Sequence, residues 1–159
     1  YDPGVKDEIE YLSNAYEEYT SGYATSLVRS TSEQLFEQYC EEQDDIEWVY
    51  KNGDTGQQYF SIVYLDGLQH QWLFYTDYIV MKKDGTVWVI ETKGGESKGK
   101  DKNIDTQIEN KFNAFKAYAA EHGLHWGFVR DKDNRLYINN TKFVSDMADD
   151  NWKPIAEVF

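Results

Sequence analysis

The chain has 159 residues, 40% of them hydrophobic and 16% aromatic, with a formal net charge of −13 at pH 7. That length allows one domain with a real core, and the acidity taken alone argues against nucleic-acid binding, which needs a positive surface. A single cysteine, Cys40, excludes an internal disulfide, and no stretch approaches a membrane span or a signal peptide, so a cytoplasmic location is expected.

In chain order, the apolar positions Val5, Ile9, Leu12, Ala15 and Tyr16 predict a helix over 5–19 with an acidic outer face. Residues 20–30 are rich in Ser, Thr and Gly and read as a loop. A second helix is predicted over 31–43, with Leu35, Phe36, Tyr39 and Cys40 as its buried stripe and Ser30 and Glu33 forming a capping box. Glu33 and Glu37 lie one turn apart on one side of it. The period then changes. Segments 46–50, 59–65, 71–81 and 86–92 are aromatic and β-branched, punctuated by Gly53 and Gly67, and predict strands of an antiparallel meander. Segment 94–103 is polar and rich in glycine and lysine, which predicts a mobile loop. A third helix is predicted over 104–122, with Ile104, Ile108, Phe112, Phe115 and Ala119 inward and Gly123 as its C-cap signal. Strands at 124–130 and 136–139 follow, then a tail anchored by Trp152 and Phe159.

The order αα-ββββ-α-ββ predicts an α/β (α+β) fold, with a central mixed sheet of about four to six strands flanked by helices. One domain spans 1–159: an N-terminal helix and loop to residue 30, a core over 31–140, and a tail over 141–159. The chain begins at Tyr1 rather than methionine, so a fragment of a larger protein is expected.

The stretch Phe74–Lys93 carries the chemistry. Side chains alternate along a strand, so Glu91 and Lys93 share one face with Val87 and Val89, while Thr92 points the other way. Asp77 is expected within the preceding strand, on the face of Leu73, Tyr75 and Ile79. Charges on apolar strand faces are costly unless paired or bound to a metal. The turn decides whether the acids meet. A two-residue turn at Asp84-Gly85 sets Asp77 opposite Thr92, whereas a three-residue loop ending in a left-handed Gly85 sets it opposite Glu91. The position of the glycine predicts the second register.

Two carboxylates and a lysine at a sheet edge suit phosphodiester hydrolysis with a divalent metal, because hard oxygen ligands take Mg²⁺ and a bound metal lowers the pKa of water. The motif Thr76-Asp77 followed by Glu91-Thr92-Lys93 resembles the PD-(D/E)XK nuclease superfamily. With segments 48–53, 59–64, 74–80 and 87–94 in order, the chain looks like the C-terminal endonuclease domain of type III restriction enzyme Res subunits and related helicase-nucleases. Thr76 stands where the family usually has proline, a residue that shapes the strand and carries no chemistry.

The resemblance implies a restriction-endonuclease-like core and a Mg²⁺-dependent DNA endonuclease, with Mn²⁺ able to substitute. Asp77, Glu91 and the backbone carbonyl of Thr92 would ligate the metal, and Lys93 would act on the attacking water. Some relatives add a glutamate from the preceding helix, for which Glu33 and Glu37 are the candidates. No P-loop occurs, so an ATPase or helicase domain would lie elsewhere in a full-length protein, alongside a modification subunit. Residues 82–116 hold eight lysines against six acids, the only locally basic region, which makes Lys98, Lys100 and Lys102 candidate DNA contacts; in the nucleases the chain resembles, the third helix borders the site, which implies Gln107 and Lys111 as further candidates. His70, His122 and His125 form no ligand cluster and read as structural. Two alternatives stay open: a catalytically silent module of the same fold that contributes DNA contacts or docking, and an unrelated α/β domain in which Lys93 is a buried ion-pair partner.

Overall fold

The computed structural model describes residues 30–52, 60–97, 100–101 and 107–159; the helix expected over 5–19 lies outside them. The described chain runs α1 (Thr31–Glu41), β1 (Ile46–Lys51), β2 (Ile62–Leu65), β3 (Gln71–Phe74), β4 (Tyr78–Lys82), β5 (Val87–Ser97), β6 (Lys100–Asp101), α2 (Ile108–His122), β7 (His125–Lys132), β8 (Arg135–Asn139) and β9 (Lys153–Pro154). A short 3₁₀ turn, Ile155–Glu157, closes it.

The main sheet is mixed, in the order β1-β4-β5-β7-β8-β9, with β6 paired to the end of β5. Strands β5 and β7 are parallel and connected through α2; the other pairings are antiparallel. Alternation along the strands gives the sheet two apolar faces. One face buries Tyr78, Val80, Trp88, Ile90, Val129 and Ile138 with Phe36 and Cys40 of α1. The other buries Val89, Trp126 and Phe128 with Phe112 and Phe115 of α2 and with the β2–β3 hairpin. Helices on both faces were expected, and the predicted stripes of α1 and, from Ile108 onward, of α2 turn inward; Ile104 lies outside the described residues.

Local chemistry explains where these helices start and stop. Ser30 and Glu33 form the capping box: the Ser30 hydroxyl accepts from the Glu33 N–H at 3.2 Å, and the Ser30 N–H donates to Glu33 Oε2 at 2.7 Å. α2 ends at Gly123, whose φ of 64° is the left-handed cap that glycine adopts without strain. The turn between β7 and β8 narrows to Asp133 and Asn134, with φ of 51° and 61°, as a tight hairpin requires. In the tail, Trp152 and Phe159 are buried as expected, and Phe159 packs on Phe36 and Trp88 with ring centroids 5.7 and 5.1 Å away.

Two groups of expectations need correction, those for the early strands and that for the segment after Lys93. The four early strands are not a meander: β1 pairs with β4, and β2 with β3 forms a separate two-stranded sheet. The run expected as one strand over 71–81 breaks between Phe74 and Tyr78, so Asp77 lies just before β4 rather than inside a strand. Asn52 explains the break. Its buried side-chain amide donates to the carbonyls of Phe60 at 2.7 Å and Thr76 at 2.9 Å and accepts from the Phe60 N–H at 3.1 Å. One side chain thus satisfies backbone groups on both ends of the excursion, where a strand ladder would otherwise be needed.

The second correction concerns the loop expected over 94–103. β5 continues to Ser97 and turns back into β6. Its register against β7 shifts between Lys93 and Glu96, a bulge that passes through Gly94 and Gly95. A Cβ on Gly95 would lie 1.3 Å from the Asp131 carbonyl oxygen, so the glycine is there for close backbone approach. Gly95→Ala is therefore expected to destabilise the domain by about 3 kcal/mol or more in urea unfolding. Gly67→Ala, where a Cβ meets nothing within 4 Å, is the control and is expected to stay within about 1 kcal/mol.

Candidate functional site

The turn between β4 and β5 sets the register. Lys82 N–H donates to the Thr86 carbonyl and Gly85 N–H to the Lys82 carbonyl, each at 2.9 Å, and Gly85 has φ of 88°. The ladder runs Met81↔Val87, Val80↔Trp88, Ile79↔Val89 and Tyr78↔Ile90. One step further sets Asp77 opposite Glu91, the register of the three-residue loop.

Glu91 is only 3% exposed and faces the α2 side, the side of Val89. Its Oε1 accepts from Lys93 Nζ at 2.6 Å. Its Oε2 is buried and has no hydrogen-bond partner among the described residues. Burial, helped by the Asp77 carboxylate, pushes the Glu91 carboxyl up to about 8 against the opposing pull of Lys93 and Lys51. The short contact to Lys93 favours the ionised form, but the loss of water on the other oxygen outweighs it.

Asp77 is held from both ends. Its Oδ2 accepts from the Thr92 N–H at 2.8 Å and from the Thr92 hydroxyl at 2.7 Å. Its Oδ1 accepts from Lys51 Nζ at 3.2 Å. Lys51 also reaches Glu33 Oε1 at 2.8 Å, and its ammonium sits 4.8 Å from the Tyr78 ring centroid. Burial lowers the Lys51 pKa, but Asp77 and then Glu33 outweigh it and hold it above the usual lysine value.

Asp77, Glu91, Thr92 and Lys93 are thus brought together. Glu33 reaches Asp77 through Lys51, whereas Glu37 Oε1 accepts from the Tyr78 hydroxyl at 2.8 Å. Lys98 and Lys102 lie outside the described residues, and Lys100 stands in β6. Gln107 and Lys111 open α2: the Lys111 N–H donates to the Gln107 carbonyl at 3.0 Å, and Gln107 Oε1 accepts from Asn110 at 3.2 Å. The histidines have structural neighbours. His70 pairs with Asp66 at 3.2 Å, and His122 and His125 pack against Tyr118 and Trp88. Among the described residues no group of three or more His, Cys, Asp or Glu side chains is placed to hold a metal ion.

Lys51 and Ser32 escaped the sequence reading. Lys51 had one legible signal: it shares its strand parity with Val49, whose side chain is in the core, so it ends β1 pointing inward. Ser32 had none. It is fully buried, and its hydroxyl lies 2.6 Å from the Lys93 carbonyl and 2.5 Å from Asp131 Oδ1. Asp131 also accepts from the Gly95 N–H at 3.3 Å. These contacts tie α1 and β7 to the part of β5 that carries Lys93.

The raised Glu91 carboxyl makes stability depend on pH. Unfolded, the group titrates near 4.5; folded, near 8, so the folded state holds the extra proton between these values. Stability is then full below about pH 4.5 and falls as pH rises to about 8. Comparing wild type with Glu91→Gln in metal-free urea unfolding should reveal a wild-type loss on the order of 4 kcal/mol across that window that the variant lacks. Parallel pH profiles would show that Glu91 ionises freely in the folded state.

No protein-family model matches the sequence, and no curated protein matches it.

Proposed function

We propose that the chain is a Mg²⁺-dependent DNA endonuclease domain with a restriction-endonuclease-like core, the cutting module of a type III restriction-like or helicase-nuclease protein. The observation that carries this reading is the buried Oε2 of Glu91, which lacks a hydrogen-bond donor while Lys93 holds the other oxygen and the Asp77 carboxylate acts on the group from nearby. A divalent cation supplies what that oxygen lacks, and the hard oxygens of Asp77 and Glu91 suit Mg²⁺. The Thr92 carbonyl is the proposed backbone ligand. The order of elements, an α-helix, antiparallel strands β1, β4 and β5, a second helix and the parallel strand β7, also supports it.

When bound, Mg²⁺ neutralises phosphate charge and makes water a better nucleophile. This chain's own residues supply the rest. Asp77 Oδ2 is oriented by two donors from Thr92, and its Oδ1 is paired with Lys51. Lys93 brings a positive charge to Glu91, close to the developing charge on the phosphate oxygens, and can orient the attacking water. Lys98, Lys100, Lys102, Gln107 and Lys111 are proposed to meet the DNA backbone. An ATPase or helicase domain and a modification subunit are the proposed partners. No helix among the described residues is long and apolar enough to cross a membrane, and the proposed setting is cytoplasmic.

A second reading, a catalytically silent module that docks in a larger assembly, is favoured by one observation. The β2–β3 hairpin exposes Val63, Leu65, Leu68, Trp72 and Leu73, each about half exposed or more. Apolar patches of that kind mark interaction surfaces. Calorimetric titration of Mn²⁺ separates the readings. The nuclease reading expects binding in wild type and its loss in Asp77→Ala. It also expects cleavage of plasmid DNA to fall at least about 100-fold in each of Asp77→Ala, Glu91→Ala and Lys93→Ala, with folding retained. Full cleavage in any one variant would rule it out, and equal Mn²⁺ binding in wild type and Asp77→Ala would favour the silent module.

A further inference from the structure

Lys51 lies between two carboxylates from different elements. Its Nζ is 2.8 Å from Glu33 Oε1 on α1 and 3.2 Å from Asp77 Oδ1 at the mouth of β4. Each carboxylate is otherwise committed: Glu33 Oε2 to the cap of α1 and Asp77 Oδ2 to Thr92. The lysine is braced as well, with its ammonium beside the Tyr78 ring and the Tyr78 hydroxyl held by Glu37. Divalent cations bridge pairs of carboxylates in the same manner. A fixed ammonium there satisfies both oxygens and keeps a second cation out of the place between Glu33 and Asp77.

On the Glu91 side the arrangement differs. Lys93 satisfies Oε1 alone, and Oε2 is left without a donor. We propose that the site takes a single divalent cation, held by Asp77 and Glu91, and that Lys51 is a built-in second cation filling the place between Glu33 and Asp77. Lys51 is a positioning residue here: it fixes Asp77 Oδ1 and sets the number of ions the site accepts. The proposal rests on the metal-dependent reading, and its test separates the two.

The test is calorimetric titration of Mn²⁺ into the metal-free wild-type chain, Lys51→Met, Lys51→Arg and Glu33→Gln, with a thermal melt of each to check folding. Wild type and Lys51→Arg are expected to bind one Mn²⁺ per chain. Lys51→Met is expected to bind two, because removing the ammonium frees the Glu33–Asp77 pair. Glu33→Gln keeps a competent capping box and is expected to retain the single ion. Two ions in wild type would overturn the proposal. So would one ion at wild-type affinity in Lys51→Met, which would make Lys51 a structural ion-pair partner only. If Lys51→Met does not fold, Glu33→Gln still decides: loss of Mn²⁺ binding there would make Glu33 a ligand of the bound ion and overturn the proposal. No binding in wild type or any variant would overturn the metal-dependent reading itself, whereas binding confined to Lys51→Met would overturn the proposal, because the wild-type site would then hold no ion.

Discussion

Glu91 sets the problem that the surrounding residues solve. It lies on β5, a strand paired on both sides, with its carboxylate withdrawn from water. A charge in that position must be compensated or given up. Three carboxylates, Glu33, Asp77 and Glu91, meet two ammonium groups: Lys51 bridges Glu33 and Asp77, and Lys93 pairs with Glu91. When all are ionised, one negative charge is left over. The excess settles on Glu91 because its second oxygen is the one without a donor. A proton or a cation relieves it, and these two outcomes exclude each other at the same oxygen. The same imbalance underlies the pH dependence of the fold.

The backbone is arranged to keep that imbalance in place. Thr92 spends its N–H and its hydroxyl on Asp77, so the two acid-bearing segments are joined across the mouth of the β4–β5 hairpin. On the other side of β5, the bulge at Gly94 and Gly95 lets the strand stay against β7 while Ser32 and Asp131 engage the backbone around Lys93. The contacts run from α1 to β7 through β5, which packs the site's support into both layers of the fold. The buried residues of the site therefore also carry part of the stability of the fold.

What could be seen in the sequence was local. The Ser30–Glu33 cap, the α1 and α2 stripes, the Gly123 stop and the three-residue turn at Gly85 each depend on residues within a few positions of one another, and each is present. The turn mattered most, because a one-residue change in its length would have put Asp77 and Glu91 on opposite faces. What could not be seen depends on distant partners. Asn52 breaks a hydrophobic run that reads as one strand, by bonds to residues 8 and 24 positions away. Ser32 meets groups 61 and 99 positions away. Segment 94–103 reads as a loop from its glycine content, whereas Gly95 serves close approach to Asp131. Lys51 was grouped with the turn that follows β1 although its parity placed it inside.

The fork at Asn52 has a mechanical corollary. One side chain clasps the chain where it leaves β1 and where it returns to β4, and Ile62, Tyr64 and Phe74 seat the hairpin above that clasp against α2 and the sheet. No continuous strand joins the hairpin to Asp77. The hairpin is therefore a place where the surface can be rewritten, in length or in character, without retuning the carboxylates below it. In this chain that rewritable surface is apolar.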